Sequence, residues 1–157
     1  ERKFLVADPS WRARAASSSR IRQGYLCVDP ERTVRVRIAG DRAWLTIKGA
    51  SRGAVRSEYE YPLPLADAQA MLDRLCRPGQ VDKTRHLVPH GAMTFEVDEF
   101  HGDNAGLVLA EIELDAADTH VDLPTWIARE VTGDPRYFNA QLVQHPFRTW
   151  PDQGDRP

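Results

Sequence analysis

A mainly β fold, α+β in its detail, follows from three features of this 157-residue sequence. Apolar residues recur at alternate positions in short runs; Gly, Pro, Asp and Asn separate those runs; few segments space apolar residues for a helix. The length and the 41% hydrophobic content suit one core, so residues 1–150 are expected to form a single domain and residues 151–157 a tail.

Residues 4–6 open as an apolar, strand-like run, and residues 9–15 beginning at Pro9 suit one helical turn. Residues 21–28, 33–38 and 43–48 read as an antiparallel meander, divided by Asp29-Pro30 and Ala39-Gly40-Asp41. The second run alternates Val34, Val36 and Ile38 with Arg35 and Arg37, giving one apolar and one cationic face. A fourth strand over residues 55–61 stops at Pro62-Leu63-Pro64. Residues 65–76 then place Leu65, Ala68, Met71, Leu72 and Leu75 at helical spacing, ended by Pro78-Gly79. Residues 81–88, 93–100 and 106–114 predict three more strands, with turns at Pro89-His90-Gly91 and His101-Gly102-Asp103-Asn104. After Asp118 the period changes: Leu123-Pro124 opens a short helix through Val131, and Asp134-Pro135 opens a second through Val143.

Composition narrows the function classes. With 21 basic against 23 acidic residues and a net charge of -2, the chain lacks the basic excess of a nucleic-acid binder, so an anion site must be local. The longest apolar stretches, such as residues 107–110, fall far short of the roughly 18 residues that cross a bilayer. No membrane partner is expected, and the charged start is unlike a secretory signal. Cys27 and Cys76 cannot build a disulfide framework and read as small core residues, which points to a cytoplasmic setting. His86, His90, His101, His120 and His145 lack zinc spacing, and there is no phosphate-cradling Gly-rich loop or Ser/His/Asp motif.

The charges themselves carry a pattern. Arg35/Arg37, Glu58/Glu60, Lys83/Arg85, Glu96/Asp98 and Glu111/Glu113 each sit at i, i+2 in a predicted strand, and so share a face about 7 Å apart. A face chosen for solubility alone would mix signs along each strand, whereas here the signs segregate by strand. Turned inward in a barrel, such faces demand counterions. Arg and Lys suit phosphate oxygens, and clustered carboxylates suit hard cations such as Mg²⁺ or Mn²⁺.

These motifs resemble the CYTH family, the triphosphate tunnel metalloenzymes. Glu1-Arg2-Lys3 matches the last three positions of the Glu-x-Glu-x-Lys hallmark, whose first glutamate would fall two positions before Glu1. The likeness continues through Arg35-Val36-Arg37, Thr46-Ile47-Lys48-Gly49, Arg56-Ser57-Glu58-Tyr59-Glu60, Lys83-Thr84-Arg85, Glu96-Val97-Asp98 and Glu111-Ile112-Glu113, in the family's order. Glu130-Val131-Thr132 and Tyr137-Phe138-Asn139 resemble its C-terminal segment.

The resemblance implies an antiparallel eight-stranded β-barrel open as a tunnel, with flanking helices and a C-terminal helix near one mouth. Lys3, Arg35, Arg37, Lys48, Lys83 and Arg85 would then hold phosphate oxygens, with Arg56 as a helper. Glu1, Asp98, Glu111 and Glu113 would hold Mg²⁺ or Mn²⁺. Glu58, Glu60 and Lys83 are the candidates to act on the reaction itself, the glutamates by a second cation or by orienting the attacking water, and Glu96 is an outer partner. The expected activity is metal-dependent hydrolysis of inorganic tripolyphosphate to pyrophosphate and phosphate. Adenylate cyclase, nucleoside or thiamine triphosphatase, and a non-catalytic polyphosphate or nucleotide sensor stay open. So does a lipocalin-like carrier, which would put Arg35 and Glu111 on the outer surface. A triphosphate-containing small molecule is the expected partner, and a homodimer the expected assembly.

Overall fold

The computed structural model describes residues 1–29, 31–50, 57–114, 116 and 119–151. Nine strands and two short α-helices lie among them: β1 (Arg2–Val6), β2 (Ser17–Asp29), β3 (Arg32–Ala39), β4 (Arg42–Gly49), β5 (Glu58–Leu63), α1 (Leu65–Arg74), β6 (Val81–His90), β7 (Met93–Phe100), β8 (Val108–Ile112), β9 (Ile127–Glu130) and α2 (Asn139–Gln144). Strand neighbours follow the order β5-β4-β3-β2-β6-β7-β8-β1-β9. The mostly antiparallel β architecture with a C-terminal helix is as expected. Among the described residues, however, there are nine strands instead of eight, in an open order ending at β5 and β9 instead of a closed ring. The chain divides into two compact units, residues 20–82 and residues 1–19 with 83–157.

In residues 20–82 the meander and the helix form as their patterns dictate. Asp29 Oδ1 accepts from the Glu31 amide at 2.9 Å, setting the turn into β3. Gly40, with φ +60°, closes the two-residue turn into β4 and keeps Ala39 opposite Arg42. Alternation then sends Val36 and Ala43 to one face, where α1 lays Ala68 and Leu72 against them, flanked by Leu26, Ile38, Leu45, Leu63, Met71 and Cys76. Gly24 permits this approach: a Cβ there would meet Cys76 Sγ at 3.0 Å and Leu72 Cδ2 at 3.1 Å. Cys27 and Cys76 are free and half-buried. The predicted start of the fourth strand, residues 55 and 56, lies outside the described residues, and β5 runs past Pro62. Pro62 is tolerated because β5 ends the strand order.

In the other unit, β1 alternates Phe4 and Val6 into the core with Lys3 and Leu5 on the opposite face. Phe4 and Val6 join Trp11, Val88, Phe95, Val97, Ala110, Ile112, Val121 and Trp126 in one buried cluster. The expected turn at Pro9 forms as a 3-10 helix, capped by Asp8 accepting from the Ser10 amide at 2.8 Å. The segment over residues 123–131 corrects the sequence expectation, because it forms β9 and no helix. A helix there would leave the free edge of β1 unpaired. Instead Ala7 donates to the Trp126 carbonyl at 2.8 Å and Val131 to the Lys3 carbonyl at 2.8 Å, while Lys3 N donates to Thr132 Oγ1 at 2.9 Å. The second predicted helix breaks at Phe138 into a 3-10 turn, Pro135–Tyr137, and α2. Among the described residues no helix is long and apolar enough to cross a membrane.

Two outcomes follow. Gly24→Ala forces Cys76 and Leu72 apart and should cost about 1–3 kcal/mol, read from a urea midpoint. Arg2 and Glu130 tie β1 to β9 through bonds of 3.0 and 2.6 Å, and these, with a bond from Thr132, hold the Glu130 carboxyl down at about 2. A depressed carboxylate stabilises fully above its ordinary titration range and loses that stabilisation as pH falls through about 2. Wild type should therefore lose stability relative to Glu130→Gln as pH drops below the ordinary carboxylate range, while the gap at neutral pH stays about 0.5–1 kcal/mol, as befits a largely exposed pair. Parallel urea midpoints for the two proteins across that range would refute the tie.

Candidate active site

The charged face of residues 1–19 and 83–157 is built by register. Cross-strand pairing sets Arg85 opposite Asp98, Glu96 opposite Glu111 and Glu111 opposite Lys3. The four strands β6, β7, β8 and β1 thus run basic, acidic, acidic, basic across one face. The opposite face carries Val97, Ala110 and Phe4 into the core, so the strands are covered and the charges cannot simply turn outward.

Asp98 is at the centre, with 0% exposure. Its Oδ2 accepts from Lys83 Nζ at 2.5 Å and from Arg85 Nη2 at 2.7 Å, and its Oδ1 from Arg85 Nε at 2.7 Å. Burial works against ionisation here, but Lys83 and Arg85 outweigh it and hold the Asp98 carboxyl below its ordinary range. Lys83, 2% exposed, lies 5.4 Å from the Phe100 ring centroid. Its ammonium is pulled down by burial against the attraction of Asp98, with Arg85 repelling it. Arg85 also reaches Glu96 through Nη1 and Glu111 Oε2 at 2.8 Å. Despite its burial, these carboxylates raise the guanidinium above its ordinary value.

Lys3 completes the row. Its Nζ lies 2.8 Å from Glu111 Oε1 and 3.5 Å from Glu1 Oε1, and it donates to the Tyr137 carbonyl at 3.4 Å. Burial opposes the charge on Lys3, yet Glu111 and Glu1 raise its pKa. Glu111 is held below its ordinary value against burial, mainly by Lys83. Glu113, just past the end of β8, differs: partial burial, Glu1 and Glu96 push its carboxyl up. Like charge thus accumulates at Glu1, Glu96 and Glu113. Among the described residues no three His, Cys, Asp or Glu side chains gather as a ready metal cluster.

Residues 20–82 carry a second charged row. Register sets Arg35 opposite Thr46 and Thr46 opposite Glu60, with Lys48 opposite Glu58. Arg35 Nη2 donates to Thr46 Oγ1 at 3.1 Å, which donates to Glu60 Oε2 at 2.9 Å. Arg37 Nη2 approaches the same oxygen at 3.5 Å and its guanidinium lies 5.4 Å from the Trp44 ring. Lys48 Nζ is 2.9 Å from Glu58 Oε2.

Each unit therefore assembles most of the residues singled out from sequence; Arg56 lies outside the described residues. Side-chain exposures of 14% for Arg35 and 9% for Glu111 overturn the outward placement that a lipocalin-like carrier requires. Among the aromatics, Trp11, Tyr25 and Trp126 are core, whereas Tyr59 is exposed. Thr46, Tyr137 and Phe138 stand in the sequence motifs without an assigned role; the structure adds the Thr46 hydroxyl, the Tyr137 carbonyl, and the Phe138 ring 5.8 Å from Lys3 Nζ. Thr46 carries a further signal as the polar residue two positions before Lys48 on the same strand face. The buried row yields one expectation: Lys83→Met strands Asp98 beside a single cation and should destabilise by about 3–5 kcal/mol in chemical denaturation. A cost under about 1 kcal/mol would mean that Arg85 alone satisfies Asp98.

The chain is similar to known proteins along most of its length. The CYTH domain matches residues 1–146. A curated inorganic triphosphatase of Acetivibrio thermocellus is 43% identical over 150 residues, 96% of each chain. The crystal structure of an inorganic triphosphatase superposes with a TM-score of 0.69 at 30% identity, over 90% of this chain and 94% of that one. A Pyrococcus horikoshii protein, with a TM-score of 0.53 at 16% identity over 73% of this chain and 78% of its own, shares the fold alone. By the match along nearly its whole length, the chain belongs to the CYTH family.

Proposed function

We propose that this chain is a divalent-metal-dependent triphosphatase that hydrolyses inorganic tripolyphosphate to pyrophosphate and phosphate. The observation that carries the reading is the set of partly or wholly buried basic side chains on one strand face of each unit, Lys3, Lys83 and Arg85 in one and Arg35, Arg37 and Lys48 in the other. Such groups sit in a medium where a phosphate dianion gains most from a preorganised partner. The 43% identical relative named inorganic triphosphatase supports the choice of substrate.

Arg35, Arg37, Lys48, Lys3 and Arg85 are assigned to phosphate oxygens, with Arg guanidinium groups gripping two oxygens at once. Lys83 and Asp98 hold Arg85 in place. The donor chemistry fits a hard cation: partial burial, Glu1 and Glu96 push the Glu113 carboxyl up, and a bound Mg²⁺ or Mn²⁺ would favour its ionised form. Glu1, Asp98, Glu111 and Glu113 would hold that ion; the oxygens of Asp98 are shared with Lys83 and Arg85, and those of Glu111 with Lys3 and Arg85. When bound, the ion neutralises phosphate charge. Glu60, an acceptor already oriented by Thr46, and Glu58 are assigned to hold the water that attacks the terminal phosphorus in line. The substrate and metal chemistry need no nucleic acid or membrane. A cytoplasmic setting and a homodimer belong to the same proposal.

The test is product analysis from tripolyphosphate, ATP and thiamine triphosphate with Mg²⁺, Mn²⁺ or EDTA. Metal-dependent release of phosphate and pyrophosphate from tripolyphosphate, with ATP slower, is expected. Cyclic AMP from ATP would move the chain to the cyclases, and tight binding without turnover would make it a sensor. Arg35→Ala should lower turnover about 100-fold or more, since charge developing on the transferred phosphoryl loses a fixed cation. Near-normal turnover would remove Arg35 from the reaction.

A further inference from the structure

Thr46 is fully buried at 0% exposure in the middle of a charged row, a place where a valine of the same shape would pack without a polar atom to satisfy. Its hydroxyl has a determined direction. Arg35 can only donate, so its Nη2, at 3.1 Å, takes a lone pair of Thr46 Oγ1; the hydroxyl hydrogen is then left for Glu60 Oε2 at 2.9 Å. Arg35 and Glu60 themselves stay 3.7 Å apart, outside direct hydrogen-bond distance.

The hydroxyl thus works as a spacer. It lets a guanidinium and a carboxylate share one row without forming the bidentate pair that would cancel the charge each presents. A second observation agrees: Arg35 Nε is buried and has no hydrogen-bond partner among the described residues, so this guanidinium retains a donor that an anionic oxygen would satisfy. Were Arg35 collapsed onto Glu60, that donor would be spent within the protein.

We propose that Thr46 is a positioning residue that holds Arg35 and Glu60 apart and aims both, Arg35 at a phosphate oxygen and Glu60 at the attacking water. The proposal rests on the triphosphatase reading for those two targets and for its kinetic readout, and on the geometry for the spacing.

The experiment compares wild type, Thr46→Ser, Thr46→Val, Glu60→Leu and the Thr46→Val/Glu60→Leu double variant. Two readouts are taken from each: steady-state kinetics on tripolyphosphate, and the guanidinium proton resonances of Arg35 by NMR. Thr46→Val should lower kcat/KM by about tenfold or more, the size expected when a buried donor and acceptor lose their shared partner. Thr46→Ser, which keeps the hydroxyl, should stay within about threefold. The double variant should lose less than the product of the single losses, because both changes remove one chain of bonds. The slowly exchanging Arg35 resonances should persist in Thr46→Ser and broaden in Thr46→Val. They should also broaden in Glu60→Leu, whose change lies at the half-exposed end of the row and so provides a folded second variant. Wild-type resonances in both Thr46→Val and Glu60→Leu, or a Thr46→Ser as impaired as Thr46→Val, would overturn the proposal. If wild type fails to hydrolyse tripolyphosphate, the triphosphatase reading falls, while the Arg35 resonances still decide the role of Thr46.

Discussion

Asp98 is a carboxylate removed from water, and that burial constrains everything around it. An ionised carboxylate in such a place costs several kcal/mol unless cations and hydrogen bonds replace its hydration. Lys83 and Arg85 supply both, using three bonds to two oxygens. Once they are committed, Arg85 stands beside Glu96 and Glu111, and Glu111 draws in Lys3. The row extends because each member leaves one charge that the next must answer. At its end, partial burial together with Glu1 and Glu96 pushes the Glu113 carboxyl upward.

The same row explains why β1 is held on both edges. Lys3 must reach Glu111 on β8, so β1 pairs there in register, and its other edge would expose amides and carbonyls beside a buried charge. β9 covers that edge. The Arg2 to Glu130 pair and the Thr132 hydroxyl then fix how the chain leaves β9 towards Tyr137, whose carbonyl returns to Lys3. Packing of Phe4 and Val6 on the far face and charge pairing of Lys3 on the near face are two consequences of one alternating pentapeptide.

Residues 20–82 solve a related problem with a neutral intermediary. Here Arg35 on β3 and Glu60 on β5 lie two strands apart and Thr46 of β4 contributes a hydroxyl between them, while Lys48 of β4 meets Glu58 of β5 directly.

Much of this was legible in the residues. Period-two alternation placed Val36 against Arg35, and the i, i+2 pairs from Arg35/Arg37 to Glu111/Glu113 marked the charged faces before any partner was known. α1 announced itself through Ala68 and Leu72 at helical spacing, and Gly40 marked its turn. These are local properties, set by backbone period and side-chain sterics within a few residues. Local pattern misjudged residues 123–131, since Trp126 and Val131 are buried either way and only the empty edge of β1, more than 120 positions earlier, favours a strand. It was equally silent on which carboxylates are free. Asp98 and Glu113 look alike in a chain, yet cross-strand register gives one three bonds from two cations and the other two acidic neighbours. The sequence by itself determined eight of the nine described strands, their faces and the family. Only the tertiary structure decided the partners, because a charge in low dielectric is governed by what stands within a few ångströms, and register across strands sets that neighbourhood.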